Sequence, residues 1–109
     1  MIRPALTLAA LLFPAVLASA ARAQPSFDCT AAMLAVEQAI CGSARLSTLD
    51  LEMSQAYLRV GGLPGVAAGQ RAWLARRNRE CGAAGQKQEA CLASLYAQRL
   101  SELRGMAGR

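Results

Sequence analysis

Four cysteines, Cys29, Cys41, Cys81 and Cys91, are the feature that most limits how this chain can fold. The chain has only 109 residues. A domain of that size buries little apolar surface and usually needs a covalent or metal staple. An even number of cysteines in a short exported chain is typical of disulfide bonds. Four cysteines allow three pairings, and the spacing alone does not choose among them.

A bound zinc ion is the other common way to stabilise so small a domain, but the spacing of the cysteines argues against it. The cysteines follow C-x11-C and C-x9-C spacings without C-x2-C knuckles, and the chain has no histidine. The C-x-x-C redox motif and the C-x-x-C-H haem motif are also absent from the sequence. We therefore expect disulfides, no metal and no cofactor.

The first 23 residues have the organisation of a cleaved secretory signal peptide. A basic start is followed by an apolar run over 4–17 and by small residues that end at Ala23. The run is short for a membrane span, and Pro14 interrupts it. We expect 1–23 to be removed and 24–109 to form one domain. That domain would be periplasmic or secreted, without a stable membrane anchor.

The composition of the predicted mature chain is ordinary for a globular domain. Removing 23 of 109 residues leaves 86, of which 42 are hydrophobic, but 16 of these are alanine, so the core must be thin. Ten basic residues then face seven acidic ones, which gives a net charge of +3. That charge is too small to indicate nucleic acid as a partner.

Hydrophobic spacing predicts an all-α fold, a small disulfide-stapled bundle of about four short helices. The second helix is the clearest, because Ser43 can cap it and one continuous apolar stripe extends to Val60. In the first predicted helix, Met33 recurs at helical spacing with Val36, Glu37 and Ile40. The predicted helices cover about 30–41, 44–60, 66–80 and 87–104, and the tail from Gly105 is expected to fray.

Two predicted helices carry polar residues on their apolar faces. Gln70 and Arg77 share a face with Trp73, and Arg99 falls among the apolar residues of the fourth helix. A buried guanidinium without a partner is costly. Asp50 is therefore the first candidate partner for Arg77, and Glu37 is the second. These residues predict a structural polar core made of Asp50, Gln70, Trp73, Arg77 and Arg99.

The third helix also allows a functional interpretation. Trp73 and Arg77 would be partly exposed and would form a binding patch together with Arg71, Arg76 and Arg79. The same arginines could instead bind an anionic envelope surface, although a solvated helix face is the more ordinary explanation. An enzyme is not expected, because a chain without histidine cannot build a Ser-His or Cys-His arrangement.

A set of short motifs resembles one family of small exported bacterial proteins. The motifs are Phe27-Asp28-Cys29, Val36 to Cys41, Leu49 to Glu52 with Tyr57, Gln70 to Arg77 with Cys81-Gly82, and Cys91-Leu92 with Tyr96 and Arg99 to Leu103. In this order they are similar to the LprI-type lysozyme inhibitor family over about 27–103. The resemblance implies a helical, disulfide-stapled envelope domain. It also implies inhibition of lysozyme or another wall-degrading enzyme, by a surface that occludes the enzyme's cleft.

Two alternatives to lysozyme inhibition stay open, and the sequence differs from the family's usual pattern at one pair of residues. Nothing in the sequence excludes a non-inhibitory envelope module, and a binder of anionic surfaces through the arginines of the third helix is the other alternative. The family usually has Thr-Pro where this chain has Leu34-Ala35. We favour the pairs Cys29–Cys41 and Cys81–Cys91, with a link between the two halves as the alternative. The first pair requires a non-helical bend near 30–33, because a continuous helix would separate its ends by roughly 18 Å.

Overall fold

The computed structural model describes residues 2–5, 9–12 and 23–108, and within them the chain is helical without strands. A short 3-10 turn over Cys29–Ala31 precedes four helices: α1 Ala35–Cys41, α2 Ala44–Val60, α3 Val66–Glu80 and α4 Gln88–Ala107. The predicted fold class is confirmed. Much of the predicted signal peptide, 1–23, lies outside the described residues. No helix among those described is long and apolar enough to cross a membrane.

Two disulfides connect successive segments of the domain. Cys29 bonds to Cys41 with Cα atoms 5.8 Å apart, and Cys81 bonds to Cys91 with Cα atoms 5.6 Å apart. These are the favoured pairs, and no cysteine is free. The first bond joins the start of the described domain to the end of α1. The second closes the turn between α3 and α4.

The first helix differs from its prediction. It begins at Ala35, and Ala32 and Leu34 have extended backbone conformations. The disulfide is the physical reason, because it holds the ends of the segment closer together than a continuous helix allows. The side chain of Glu37 accepts from the backbone N–H of Leu34 at 3.1 Å and so fixes the new start. Met33 is consequently not inward but 86% exposed.

The core lies mainly between α2 and α4, with α1 packed against α2. Ser43 begins α2 as predicted, since its hydroxyl accepts from the backbone N–H of Leu46 at 3.2 Å. The hydroxyl of Ser47 donates to the carbonyl of Ile40 at 2.7 Å and joins α1 to α2. The buried apolar side chains include Val36, Ile40, Leu46, Met53, Leu92, Tyr96 and Leu103.

The end of α4 also differs from its prediction. The helix continues through Gly105 to Ala107, so the expected fraying from Gly105 is wrong for the part of the tail that the structure describes. Met106 packs against the core cluster. Burial of this side chain gives the last turn a tertiary contact that the local sequence does not reveal.

Candidate functional site

A buried hydroxyl joins three of the helices. Tyr96 on α4 donates from its hydroxyl to Asp50 Oδ1 on α2 at 2.7 Å. Arg77 on α3 donates from Nη1 to the same hydroxyl at 2.9 Å. All three residues are buried. The expected direct pair between Arg77 and Asp50 is therefore wrong, because Tyr96 inserts between them and relays the contact.

The N-terminal segment completes this polar core. Ser26 donates to Asp50 Oδ2 from its backbone N–H at 2.7 Å and from its hydroxyl at 2.6 Å. Pro25 beside it is buried. The carboxylate of Asp50 thus has three hydrogen-bond donors, which offset the cost of burying it. Sequence analysis missed Ser26, because no periodic pattern marks a short extended segment.

Burial controls the ionisation of Tyr96. It raises the pKa of the hydroxyl far above its usual range, and the negative charge of Asp50 adds to this effect. The positive charge of Arg77 acts in the opposite direction but is the smaller influence. Tyr96 therefore stays neutral and remains a donor to Asp50 at physiological pH.

A second buried polar group is centred on Arg99 of α4. Arg99 donates from Nε to Gln70 Oε1 at 2.8 Å and from Nη1 to Glu102 Oε2 at 3.0 Å. Gln70 in turn contacts the sulfur of Met53 at 3.0 Å. The ring of Trp73 meets the ring of Tyr96 edge to face, with centroids 4.9 Å apart. The structure thus brings the five residues of the predicted polar core into two adjacent groups.

The predicted binding patch needs a correction in two members. Trp73 and Arg77 are buried and do not form a surface with the others. The reason is that both contact Tyr96, which is fully buried in the core. The exposed members are Arg71, Arg76 and Arg79, and Arg76 forms an ion pair with Glu80 at 3.0 Å.

The loop closed by Cys29–Cys41 carries the most exposed large apolar side chain within 23–108. Met33 is 86% exposed there, and Leu34 beside it is also exposed. Sequence analysis missed this surface, because it assigned Met33 to the inner face of a helix. The loop is anchored by its disulfide, by the cap from Glu37 and by the packing of α1.

The charge of this loop differs from that of the rest of the domain. Between Ala23 and Ala44 the chain carries Asp28 and Glu37 and no basic residue. The hydroxyl and the backbone N–H of Thr30 donate to Asp28, which lowers the pKa of that carboxyl and keeps it ionised at neutral pH. The loop is therefore locally acidic within a basic chain.

A cleft of about 340 Å³ lies next to this acidic segment. Ser26, Phe27 and Glu37 line it together with Asp50 and Tyr57. Two of these lining residues are carboxylates, although Asp50 is already held by its three donors. The described residues include no group of three or more His, Cys, Asp or Glu side chains that could hold a metal ion.

These features define a small helical domain stapled by two disulfides, with a polar core and a constrained apolar loop. A family model described as lysozyme inhibitor LprI matches residues 29–103. The chain belongs to this family. The matched segment includes both disulfides and the whole Asp50–Tyr96–Arg77 network. No curated protein and no solved structure matches the chain.

Proposed function

We propose that the mature chain, 24–109, is an exported inhibitor that binds a lysozyme or another wall-degrading enzyme and occludes its substrate cleft. The observation that carries this proposal is the match to the lysozyme inhibitor family over 29–103. Two disulfides in so short a chain are consistent with export. In this proposal, 1–23 directs the export as a signal peptide and is then removed.

The loop closed by Cys29–Cys41 is the best candidate for the contact with the enzyme. A cleft is concave, and an exposed loop with apolar side chains could enter such a surface. Met33 and Leu34 supply the exposed apolar side chains. The disulfide and the Glu37 cap hold the loop in one conformation, so less conformational entropy is lost on binding. A few buried apolar anchors commonly provide most of the affinity of an interface.

The distribution of charge also favours the loop closed by Cys29–Cys41 as the contact with the enzyme. Many lysozymes are basic, and a net positive inhibitor would be repelled at long range. Glu37 lies within the loop and Asp28 directly precedes it, and the chain has no basic residue between Ala23 and Ala44. An approach with this loop first would therefore be favoured over an approach with the arginines of α3.

A wall-lysis assay tests the proposal. Oxidised 24–109 would be titrated against several lysozymes, with Met33→Ala and Leu58→Ala as matched variants. Leu58 is a suitable control because it is 77% exposed but lies on α2. We expect wild type and Leu58→Ala to protect cell walls equally, and Met33→Ala to need at least tenfold more protein.

Two results would count against this account. Absence of protection by folded wild-type protein would reject inhibition and favour a non-inhibitory envelope module. Equal protection by Met33→Ala and wild type would leave inhibition in place but would remove the loop as the contact surface. A reduced sample provides a further control, since loss of Cys29–Cys41 should release the loop and weaken protection.

A further inference from the structure

We propose that the thioether of Met33 is an oxidation site, and that its conversion to the sulfoxide by a peroxide switches the inhibitor off. The side chain of Met33 is 86% exposed and lies on the loop closed by Cys29–Cys41. The effect on inhibition rests on the proposed function, because it assumes that this loop contacts the enzyme. The selective oxidation of the sulfur does not depend on that assumption.

The reaction is the transfer of one oxygen atom from the peroxide to the sulfur. A lone pair of the sulfur attacks one oxygen of hydrogen peroxide, so that an S–O bond forms and the O–O bond breaks. The transferred hydroxyl gives its proton to the departing hydroxide, which leaves as water. The sulfur loses one electron pair and the peroxide gains it. The step needs an accessible sulfur and no other group of the protein.

The chain has no free thiol that would compete for the oxidant. A thiolate is a strong nucleophile and is the first group of a protein that many oxidants attack. All four cysteines of this chain are already held in two disulfides. A peroxide that meets the folded domain is therefore left for the methionines.

Packing protects the other described methionines. Met53 is 3% exposed, and its sulfur accepts a hydrogen bond from Gln70 Nε2 at 3.0 Å. Met106 is partly buried and packs against the core cluster. Met1 lies outside the described residues. Because oxidation follows exposure of the sulfur, the peroxide reaches Met33 first.

Oxidation at this position should leave the fold intact. The loop is held by the Cys29–Cys41 bond, by the hydrogen bond from the backbone N–H of Leu34 to Glu37, and by the packing of α1. None of these three restraints uses the side chain of Met33. The modification therefore changes the surface that the loop presents and not the stability of the domain.

The sulfoxide changes the chemistry of the proposed contact. It turns a flexible apolar side chain into a polar one whose oxygen accepts hydrogen bonds. Burial of that oxygen against an enzyme costs free energy unless a donor faces it. Leu34 is then the remaining large apolar side chain that the loop exposes. We expect the loss of one of two apolar anchors to weaken inhibition by at least about tenfold.

Peptide mapping measures the selectivity of the reaction. Disulfide-bonded 24–109 would be treated with limiting hydrogen peroxide, quenched and digested with trypsin. Cleavage after arginine places each of three methionines in its own peptide: Met33 in 24–45, Met53 in 46–59 and Met106 in 105–109. We expect the peptide of Met33 to gain one oxygen atom about tenfold faster than that of Met53. Equal rates for these two peptides would overturn the inference.

A wall-lysis assay on the same samples measures the effect on inhibition. The domain oxidised at Met33 should need at least about tenfold more protein for equal protection, while its unfolding temperature stays that of the untreated domain. Met33→Leu removes the sulfur, and Met106→Leu is the matched control that keeps Met33. Each variant is compared with its own untreated sample. We expect peroxide to leave the protection by Met33→Leu unchanged and to weaken that by Met106→Leu as in wild type.

The outcomes separate this inference from the proposed function. Protection that survives full oxidation of Met33 would overturn the inference and leave inhibition in place. A loss of protection that persists in Met33→Leu would assign the effect to another residue and would also overturn it. Absence of protection before any peroxide is added would reject the proposed function, and the control of inhibition by oxidation with it.

Discussion

The hydroxyl of Tyr96 lies 2.7 Å from the carboxylate of Asp50 and donates to it in the centre of the domain. The same oxygen accepts from Arg77, so α2, α3 and α4 meet at one atom. Ser26 adds the N-terminal segment to this junction. A polar core of this kind is stable only while each member is satisfied, so loss of one group should affect the others.

Tyr96→Phe should lower the free energy of unfolding by about 2 kcal/mol. The substitution keeps the ring but removes a donor to Asp50 and an acceptor for Arg77, and leaves both buried groups with fewer partners. Urea denaturation of the oxidised protein measures the change. Tyr57→Phe is the control, because the hydroxyl of Tyr57 makes no hydrogen bond with any described residue, and its cost should stay below about 0.5 kcal/mol. Equal costs for the two variants would contradict this role of the hydroxyl.

The raised pKa of Tyr96 predicts a loss of stability at alkaline pH. An unfolded tyrosine ionises near pH ~10, whereas burial and Asp50 keep the folded hydroxyl protonated to higher pH. The stabilisation is therefore complete below pH ~10 and is lost as the pH rises toward the folded pKa, with a slope of at most about 1.4 kcal/mol per pH unit. Denaturation midpoints from pH 8 to 11.5 measure it. A slope in Tyr96→Phe as steep as in wild type would assign the effect to other groups.

The attachment of the N-terminal segment can be tested at Ser26. Ser26→Ala removes the hydroxyl donor to Asp50 but keeps the backbone N–H donor, so we expect a cost of about 1 kcal/mol. Deletion of 24–27 removes both donors and should cost more. Thermal unfolding of both variants against wild type measures the difference. A deletion that unfolds at the wild-type temperature would show that the segment does not stabilise the core.

Two glycines should respond to alanine in opposite directions. A Cβ at Gly82 would collide with the carbonyl oxygen of Asn78, so Gly82→Ala must shift the backbone next to Cys81 and should destabilise by about 1–3 kcal/mol. Gly69 lies inside α3 and has room for a methyl group, so Gly69→Ala should stabilise by about 0.5–1 kcal/mol. Calorimetric unfolding of the two variants compares them. The same sign of change in both would contradict the packing described here.

The sequence predicted the helices well wherever local signals and packing agree. Ser43 caps α2, and a glycine-rich turn separates Val60 from Val66, so the bounds of α2 and α3 follow from local chemistry. The start of α1 could not be predicted in this way. Residues 30–34 include good helix formers, but the covalent bond between Cys29 and Cys41 is incompatible with a continuous helix between them.

The functional surfaces were harder to predict, for a related reason. Burial of Arg77 is suggested by its place on the face of Trp73, but its actual partner, Tyr96, is 19 residues away and belongs to another helix. Met33 becomes a candidate for the contact surface only because the structure shows that the segment before Ala35 is not part of α1.

Occlusion of the enzyme's cleft is the central claim, and competition binding tests it most directly. The affinity of oxidised 24–109 for a susceptible lysozyme would be measured by calorimetry with and without an oligosaccharide that fills the substrate cleft. We predict that the apparent Kd rises in proportion to the oligosaccharide concentration, because both ligands need the same space. An unchanged Kd at saturating oligosaccharide, or no binding at all by the folded protein, would contradict the account.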